Sequence, residues 1–214
     1  MSELNIVKFS TKRNNLSLNV AMGHFAGSNS HSNYFIDVVS QKTCLSEARA
    51  VAEELCADYY YSNTSVDTVV CLDGTEVIGA CLADRLSKPD LANINSQKSI
   101  YVVTPETTAS GQFLFRDNIV PMIKGRNVIV LAVSLASGKT IENAIDAIKY
   151  YGGTAVGIAA IFATEKECRG VEVNSVFDPK DLPNYQIYPA HDCPMCKAGQ
   201  KVDALINSHG YSKI

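Results

Sequence analysis

The sequence predicts an α/β fold with a Rossmann-like parallel sheet flanked by helices. Strand and helix patterns alternate through the middle of the chain, which is typical of parallel sheets built from right-handed crossovers. Residues 127–133 are apolar on both faces of the predicted strand, as a central parallel strand must be when helices cover both sides of the sheet. Sheets of this kind bind ligands beyond the carboxyl ends of their strands.

Apolar periodicity places the individual elements. Strands are predicted over residues 66–72, 100–103, 127–133 and 154–162. Helices are predicted over residues 43–57, where Thr43 or Ser46 is a candidate cap, over residues 75–86, and after residue 140. That last helix has Ile141, Ala144, Ile145 and Ile148 at helical spacing, and Gly152-Gly153 ends it. Residues 104–111 have the composition of a loop.

Composition excludes several classes of protein. The chain has 214 residues and 46% hydrophobic content, enough for one sizeable core. A net charge of −3 provides no basic field for nucleic acid. No window approaches the length of a membrane span and no targeting segment precedes the fold, so we expect a cytoplasmic protein. Seven cysteines, an odd number, do not suggest a disulfide framework.

The loop after residue 133 has the composition of a phosphate-binding site. It comprises Ser134, Leu135, Ala136, Ser137, Gly138, Lys139 and Thr140. Its backbone N–H groups and the positive end of the following helix dipole converge where an anion can bind. The hydroxyls add donors, the glycine permits close approach and the lysine adds a charge. An ordinary Ser/Gly helix entry is the alternative interpretation.

This loop matches the P-loop NTPase pattern G-x-x-x-x-G-K-[ST] only in its last three residues. Val133 stands where that pattern has its first glycine. Without the glycine the loop cannot take the wide turn that wraps a triphosphate, so the sequence disfavours an NTPase.

Four separated segments match the motifs of one enzyme family in order and spacing. They are the G-H-F triplet at residues 23–25, the H-S-x-Y-F segment within residues 31–37, the phosphate loop at residues 134–140, and the Y-P-x-x-x-C-P-x-C-K-x-G segment at residues 188–199. These segments resemble the type I phosphoribosyltransferases, and most closely a bacterial branch of the orotate phosphoribosyltransferases. Asp73, Gly74, Thr75 and Glu76 stand where that family has its pyrophosphate loop.

The resemblance implies a type I phosphoribosyltransferase fold with a small N-terminal hood. It divides a single domain into a hood segment (residues 1–42), a core (43–180) and a C-terminal segment (181–214). It implies that His31, Ser32, Tyr34 and Phe35 form the hood over the base, although core packing explains the aromatic residues nearly as well. It also implies a homodimer, and Mg²⁺ as cofactor if the chain is a working transferase.

The sequence departs from the family pattern in three places. The two acidic residues that the resemblance assigns to ribose binding are Ala132 and Val133 here. Residues 102–115 occupy the position of the family's mobile catalytic loop, and they include neither lysine nor histidine. Acidic Asp73 and Glu76 occupy the pyrophosphate loop. Catalytic residues therefore stay unknown.

Residues His191, Cys193 and Cys196 resemble a zinc half-site. No fourth ligand is evident, and the family resemblance accounts for this segment without metal. His24 and His209 show no ligand spacing. We therefore expect no metal site, and a zinc ion bound by His191, Cys193 and Cys196 is the alternative that the sequence leaves open.

The sequence favours an orotate phosphoribosyltransferase-like protein that binds a small phosphorylated ligand, such as a nucleotide or phosphoribosyl pyrophosphate, with catalysis impaired or lost. One alternative is an active orotate or related phosphoribosyltransferase. The other is a regulatory or scaffold subunit that keeps only the fold.

Overall fold

The computed structural model describes residues 6–10, 16–60, 64–91, 93–136 and 138–214, without the side chains of Ile6 and Ser10. Over these residues it contains two six-stranded sheets and a small hairpin. The core sheet runs, in spatial order, through β10 (Glu167–Cys168), β11 (Val171–Phe177), β9 (Thr154–Ala163), β8 (Asn127–Leu135), β4 (Thr68–Cys71) and β5 (Tyr101–Val103).

The core sheet is parallel except for β10, which pairs antiparallel with β11. Helices α2 (Leu45–Tyr60) and α3 (Glu76–Leu86) pack on one face, and α4 (Lys139–Tyr150) packs on the other. The predicted α/β fold with a parallel sheet between helices is confirmed.

The central strand β8 divides its side chains between the two faces. Alternate residues join the cluster under α2 and α3 or the cluster under α4 because side chains in a strand alternate. The first set is Ile129, Leu131 and Val133, and the second is Val128, Val130 and Ala132. All six are buried.

The hood sheet combines strands from the beginning and the end of the sequence. Its members are β1 (Ile6–Ser10), β2 (Ser17–Ala26), β3 (Ser30–Asp37), β12 (Ile187–Pro189), β13 (Ala204–Asn207) and β14 (Gly210–Lys213). Strand β13 pairs in parallel with β2, aligning Ala204 with Phe25, and β12 pairs antiparallel with β3, aligning Tyr188 with His31. The hood is therefore incomplete without the C-terminal segment.

Several predicted boundaries differ from the structure. The helix predicted over residues 43–57 is α2, which begins at Leu45, while the cap candidate Thr43 ends α1 (Val39–Thr43) and the other candidate, Ser46, lies inside α2. The 104–111 segment is not all loop, because β6 (Glu106–Thr107) pairs with β7 (Phe113–Leu114) in a short hairpin. The strand predicted to end at residue 133 continues to Leu135, where its ladder with β9 ends at Ala163.

The remaining described elements are short. They are α1 (Val39–Thr43), α5 (Pro194–Lys197) and the 3-10 turns Val120–Met122, Pro179–Asp181 and Ala190–Asp192. Across the described ranges, every helix is too short or too polar to span a bilayer.

Candidate functional site

A cleft of about 560 Å³ lies between the hood sheet and the carboxyl ends of the core strands. The core contributes polar and apolar groups from the carboxyl ends of β8 and β9 and from the segments that follow β4 and β8, and the hood contributes mainly apolar residues and serines. The core residues are Asp73, Val133, Ser134, Ala136, Thr140 and Phe162, and the hood residues include Ser28, Ser32, Tyr34, Phe35, Ile36, Asp37, Leu205 and Ser208. The position agrees with the general location of ligands in parallel α/β sheets.

The predicted phosphate loop forms the floor of this cleft. Ser134 and Thr140 are exposed in it, Leu135 is buried beneath, and Lys139 is exposed but does not line the cleft. Gly138 precedes α4 with φ of 75°, a left-handed conformation that favours glycine. Ser137, a predicted member of this site, lies outside the described residues.

The polarity of the loop backbone suits an anion. Thr164 binds the loop carbonyls, since its hydroxyl donates to the Leu135 oxygen at 3.1 Å and to the Ala136 oxygen at 3.2 Å. In the part of the loop that the structure describes, the N–H groups of residues 136 and 138–140 have no protein acceptor. Helix α4 also lacks a side-chain cap at Gly138. These N–H groups are available to an anion.

The residues in the pyrophosphate-loop position form a tight turn between β4 and α3. Asp73 and Gly74 have φ values of 59° and 79°. Thr75 is fully buried, and its hydroxyl is within 2.8 Å of the Leu72 oxygen, to which it donates. Glu76 accepts a hydrogen bond from the Thr104 hydroxyl at 3.0 Å. Asp73 alone of the four predicted residues lines the cleft.

Lys42 contacts this turn through its ammonium group. Nothing in the sequence indicates this contact. Its side chain is 7% exposed, and the ammonium donates to the Asp73 oxygen and to the Ser208 oxygen, both at 2.7 Å. Burial lowers the pKa of Lys42, while the carboxylates of Asp73, Glu76 and Asp37 oppose the shift. Lys42 therefore joins the pyrophosphate-loop position to the C-terminal wall of the cleft.

Replacing Lys42 with methionine should lower the free energy of unfolding by about 2–3 kcal/mol, because two partly buried carbonyls would lose their charged donor. Urea unfolding measures this loss. Lys88→Met is the matched control, since Lys88 is exposed and forms only a 3.7 Å pair with Asp84, and it should change stability by less than about 0.5 kcal/mol. Equal effects of the two variants would contradict the role assigned to Lys42.

The end of β8 does not fit the magnesium arrangement that the family resemblance implies. Ala132 is fully buried on the α4 face and Val133 is 6% exposed at the cleft. Neither offers the oxygen ligands that Mg²⁺ requires. Asp37 and Asp73 are the carboxylates among the cleft residues, and the Asp37 carboxylate also accepts the Val39 N–H at 3.0 Å.

The segment in the position of the catalytic loop is held against the protein. The Gly111 oxygen accepts a hydrogen bond from the Asn143 side chain of α4 at 3.2 Å. Arg116, the cation that flanks the hairpin, forms two hydrogen bonds with Glu106 at 2.9 and 2.6 Å. Its charge is therefore engaged beside the hairpin instead of facing the cleft.

The four predicted hood residues divide into two groups. Ser32, Tyr34 and Phe35 line the cleft, but Tyr34 and Phe35 are only 2% and 3% exposed. The Tyr34 hydroxyl donates to the Pro183 oxygen at 2.8 Å, and Phe35 packs against Tyr211. His31 does not line the cleft, because its ring is directed toward His24 and the C-terminal segment.

Comparison with known proteins relates this arrangement to one family. No family model matches the sequence. The orotate phosphoribosyltransferase of Sulfurimonas denitrificans is 23% identical over 192 residues, which are 84% of this chain and 88% of that protein. The chain therefore resembles an orotate phosphoribosyltransferase in sequence over most of its length.

Solved phosphoribosyltransferases have the same fold. The UMP synthase of Leishmania donovani matches 76% of this chain with a TM-score of 0.55 and 17% identity, and the match spans 34% of that longer chain. The adenine phosphoribosyltransferase of Trypanosoma brucei, solved with AMP, pyrophosphate and ribose-5-phosphate, matches 71% of this chain and 73% of its own, with a TM-score of 0.51 and 13% identity.

Beside the cleft lies a second cluster of polar side chains. One ligand-type atom from each of His24, His31, Cys193 and Cys196 lies within 4.8 Å of the other three. His191, which the sequence grouped with the two cysteines, is exposed and is not part of the cluster. The structure groups the two cysteines with His24 and His31 instead of His191, although the spacing of His24 in the sequence gives no such signal.

Proposed function

We propose that this protein binds a nucleoside monophosphate or a related phosphorylated ligand in the cleft, with classical phosphoribosyl transfer impaired or lost. The observation that supports this most is the polarity of the described loop backbone, where Thr164 binds the Leu135 and Ala136 carbonyls while the N–H groups of residues 136 and 138–140 stay available. The phosphate would lie at the beginning of α4, next to Ser134 and Thr140.

The rest of the ligand would lie between the core and the hood. Val133 and Phe162 offer apolar contacts on one side, and Ile36 and Leu205 offer them on the other. These residues suit the flat face of a heterocycle, and the serines at the rim suit its polar edge. The Trypanosoma brucei relative holds AMP, a ligand of this chemistry.

A diphosphate fits this cleft less well than a monophosphate. Asp73 and Glu76 bring carboxylates to the turn where the family resemblance locates pyrophosphate, and like charges at short range repel. The end of β8 offers no carboxylate for a bridging magnesium ion. Binding of a monophosphate should therefore not require Mg²⁺.

Titration calorimetry with UMP, AMP, orotate and phosphoribosyl pyrophosphate, with and without Mg²⁺, tests this proposal. A monophosphate should bind equally well under both conditions. Thr140→Glu should weaken that binding at least about 10-fold, since a carboxylate would occupy the anion position, yet it should not destabilise α4, because acidic residues are favourable at helix beginnings. Gln112→Glu makes the same charge change on the exposed hairpin and should bind normally.

Failure of every monophosphate to bind at millimolar concentration would exclude the proposal, as would unchanged binding by Thr140→Glu. The second candidate is an active orotate phosphoribosyltransferase, which the relative from Sulfurimonas denitrificans favours because the match covers 84% of the chain. Turnover of orotate distinguishes the two.

A further inference from the structure

We propose that His24, His31, Cys193 and Cys196 bind a structural zinc ion that fastens the C-terminal segment to the hood. Two histidines and two cysteines are the ligands of a closed tetrahedral zinc site, and imidazole and thiolate groups together favour this metal. The site lies outside the cleft, so the inference does not depend on the proposed ligand.

The distances between the four side chains are close to those around a tetrahedral zinc. His24 Nε2 lies 3.6 Å from both cysteine Sγ atoms, and His31 Nδ1 lies 3.3 Å from the Cys196 Sγ. With zinc at its usual bond lengths, neighbouring ligand atoms are about 3.4–3.8 Å apart. The two ring nitrogens are 2.9 Å apart, so a bound ion would move them apart by about 0.5 Å.

Hydrogen bonding inside the cluster cannot explain this convergence. His24 Nδ1 lies 3.0 Å from the Gln200 oxygen, which can only accept, so Nδ1 is protonated. In the neutral ring Nε2 then has one lone pair and no hydrogen. His31 Nδ1 and both cysteine sulfurs nevertheless converge on that single nitrogen. One proton can occupy the lone pair, whereas a cation between the four atoms would interact with all of them.

The surroundings of His24 resemble the outer shell of a metal site. A backbone oxygen that binds the far nitrogen of a metal-binding histidine fixes the ring's tautomer and orientation, and Gln200 does this here. The His24 N–H donates to the Asp203 carboxylate at 2.8 Å, and the Asp203 N–H donates to the His24 oxygen at 2.8 Å. A side chain at Gly23 would come within 2.6 Å of that carboxylate, so glycine permits the contact.

The four residues come from two separate parts of the sequence. His24 is on β2 and His31 is on β3. Cys193 caps α5 and Cys196 lies within it, between β12 and β13. A shared ion would hold this turn against the β2–β3 hairpin. It would thereby position β13 and the residues after it, which line the cleft.

Zinc analysis of the purified chain, produced without a histidine tag in zinc-supplemented medium, tests the site. We expect about one zinc per chain in the unmodified protein, and almost none in Cys193→Ser/Cys196→Ser or His31→Ala. Cys44→Ser/Cys81→Ser and His191→Ala are the matched controls, since these residues lie outside the cluster, and both should keep the metal.

The proposal fails if the unmodified chain contains zinc at less than about 0.2 per chain, or if both ligand variants retain it. A stoichiometric amount of another metal would overturn the assignment to zinc. If the ligand variants do not fold, cobalt decides the question with the unmodified chain. Refolding with Co²⁺ should give the intense visible bands of a tetrahedral site with thiolate ligands, and their absence would exclude the site.

Discussion

Transfer of orotate from phosphoribosyl pyrophosphate should be at least about 10⁴-fold less efficient, in kcat/KM, than in the Sulfurimonas denitrificans relative. Two defects contribute. Ala132 and Val133 cannot bind ribose hydroxyls, and two lost charge-assisted hydrogen bonds of about 1.5–3 kcal/mol each correspond to roughly 10²- to 10⁴-fold. The hairpin also brings no free cation to a departing pyrophosphate, which lowers turnover further.

Both proteins should be assayed side by side after expression in a host that lacks its own orotate phosphoribosyltransferase. The relative is the positive control, and its activity shows that the assay conditions are suitable. Turnover by the chain within about 10-fold of the relative would establish the active transferase and exclude loss of catalysis. Restoring only one of the missing parts should recover little activity, because binding of the ribose and stabilisation of the leaving group occur at different stages.

Aspartate at position 132 should destabilise the fold far more than aspartate at position 133. Ala132 is fully buried among apolar side chains under α4, so a carboxylate there would lower the free energy of unfolding by at least about 4 kcal/mol. Val133 borders the cleft, where a carboxylate can reach solvent, and Val133→Asp should cost about 1–2 kcal/mol from lost packing.

Urea unfolding of the two variants, with Ala132→Asn and Val133→Asn as uncharged controls, separates charge from size. Burial would raise the pKa of a carboxyl at position 132 above its unfolded value. The folded state then holds more protons than the unfolded state, so Ala132→Asp should lose stability as the pH rises through the unfolded pKa, near 4. Similar losses at both positions would contradict the assignment of their side chains to opposite faces.

Of the two aspartate variants, only Val133→Asp should gain affinity for phosphoribosyl pyrophosphate in the presence of Mg²⁺, because only that side chain borders the cleft. Calorimetric titration with and without Mg²⁺ measures the gain, and the uncharged Val133→Asn variant controls for the change in shape. Restoring both acids of the family pattern at once would therefore combine a functional gain with a folding defect.

The core sheet was predictable because its signals are local. The apolar run of β8 and the helical spacing of α4 are each contained in one short continuous segment, and the structure contains both elements. The hairpin formed by β6 and β7 was not predicted, since Pro105, three threonines and Gly111 dominate the composition of that segment. The hairpin also contacts α4, and no local pattern in the sequence reveals that contact.

The polar clusters were less predictable because their members are distant in sequence. Lys42 reads as an ordinary surface residue near a helix, but it contacts carbonyls 31 and 166 residues away. His24 and His31 match family motifs for the hood, and nothing in their spacing connects them with Cys193 and Cys196. His191 was the more obvious partner by position, yet neighbours in sequence need not point the same way in a turn.

The origin of the hood sheet determines when a binding site can exist during synthesis. During translation β2 and β3 are synthesised long before the strands that complete their sheet. The backbone N–H of His24 bonds to Asp203, which is synthesised 179 residues later. In the interval the part of the β2 edge that β1 does not cover, at Phe25 and Ala26, is open to wrong pairing, a known hazard of unpaired strands. The last strand of the core sheet is β11, whereas the hood sheet also needs β12, β13 and β14. We therefore expect the core of a nascent chain to fold before the cleft is complete. Chains that end before the later strands would lack the wall that β13 and the residues after it contribute to the cleft.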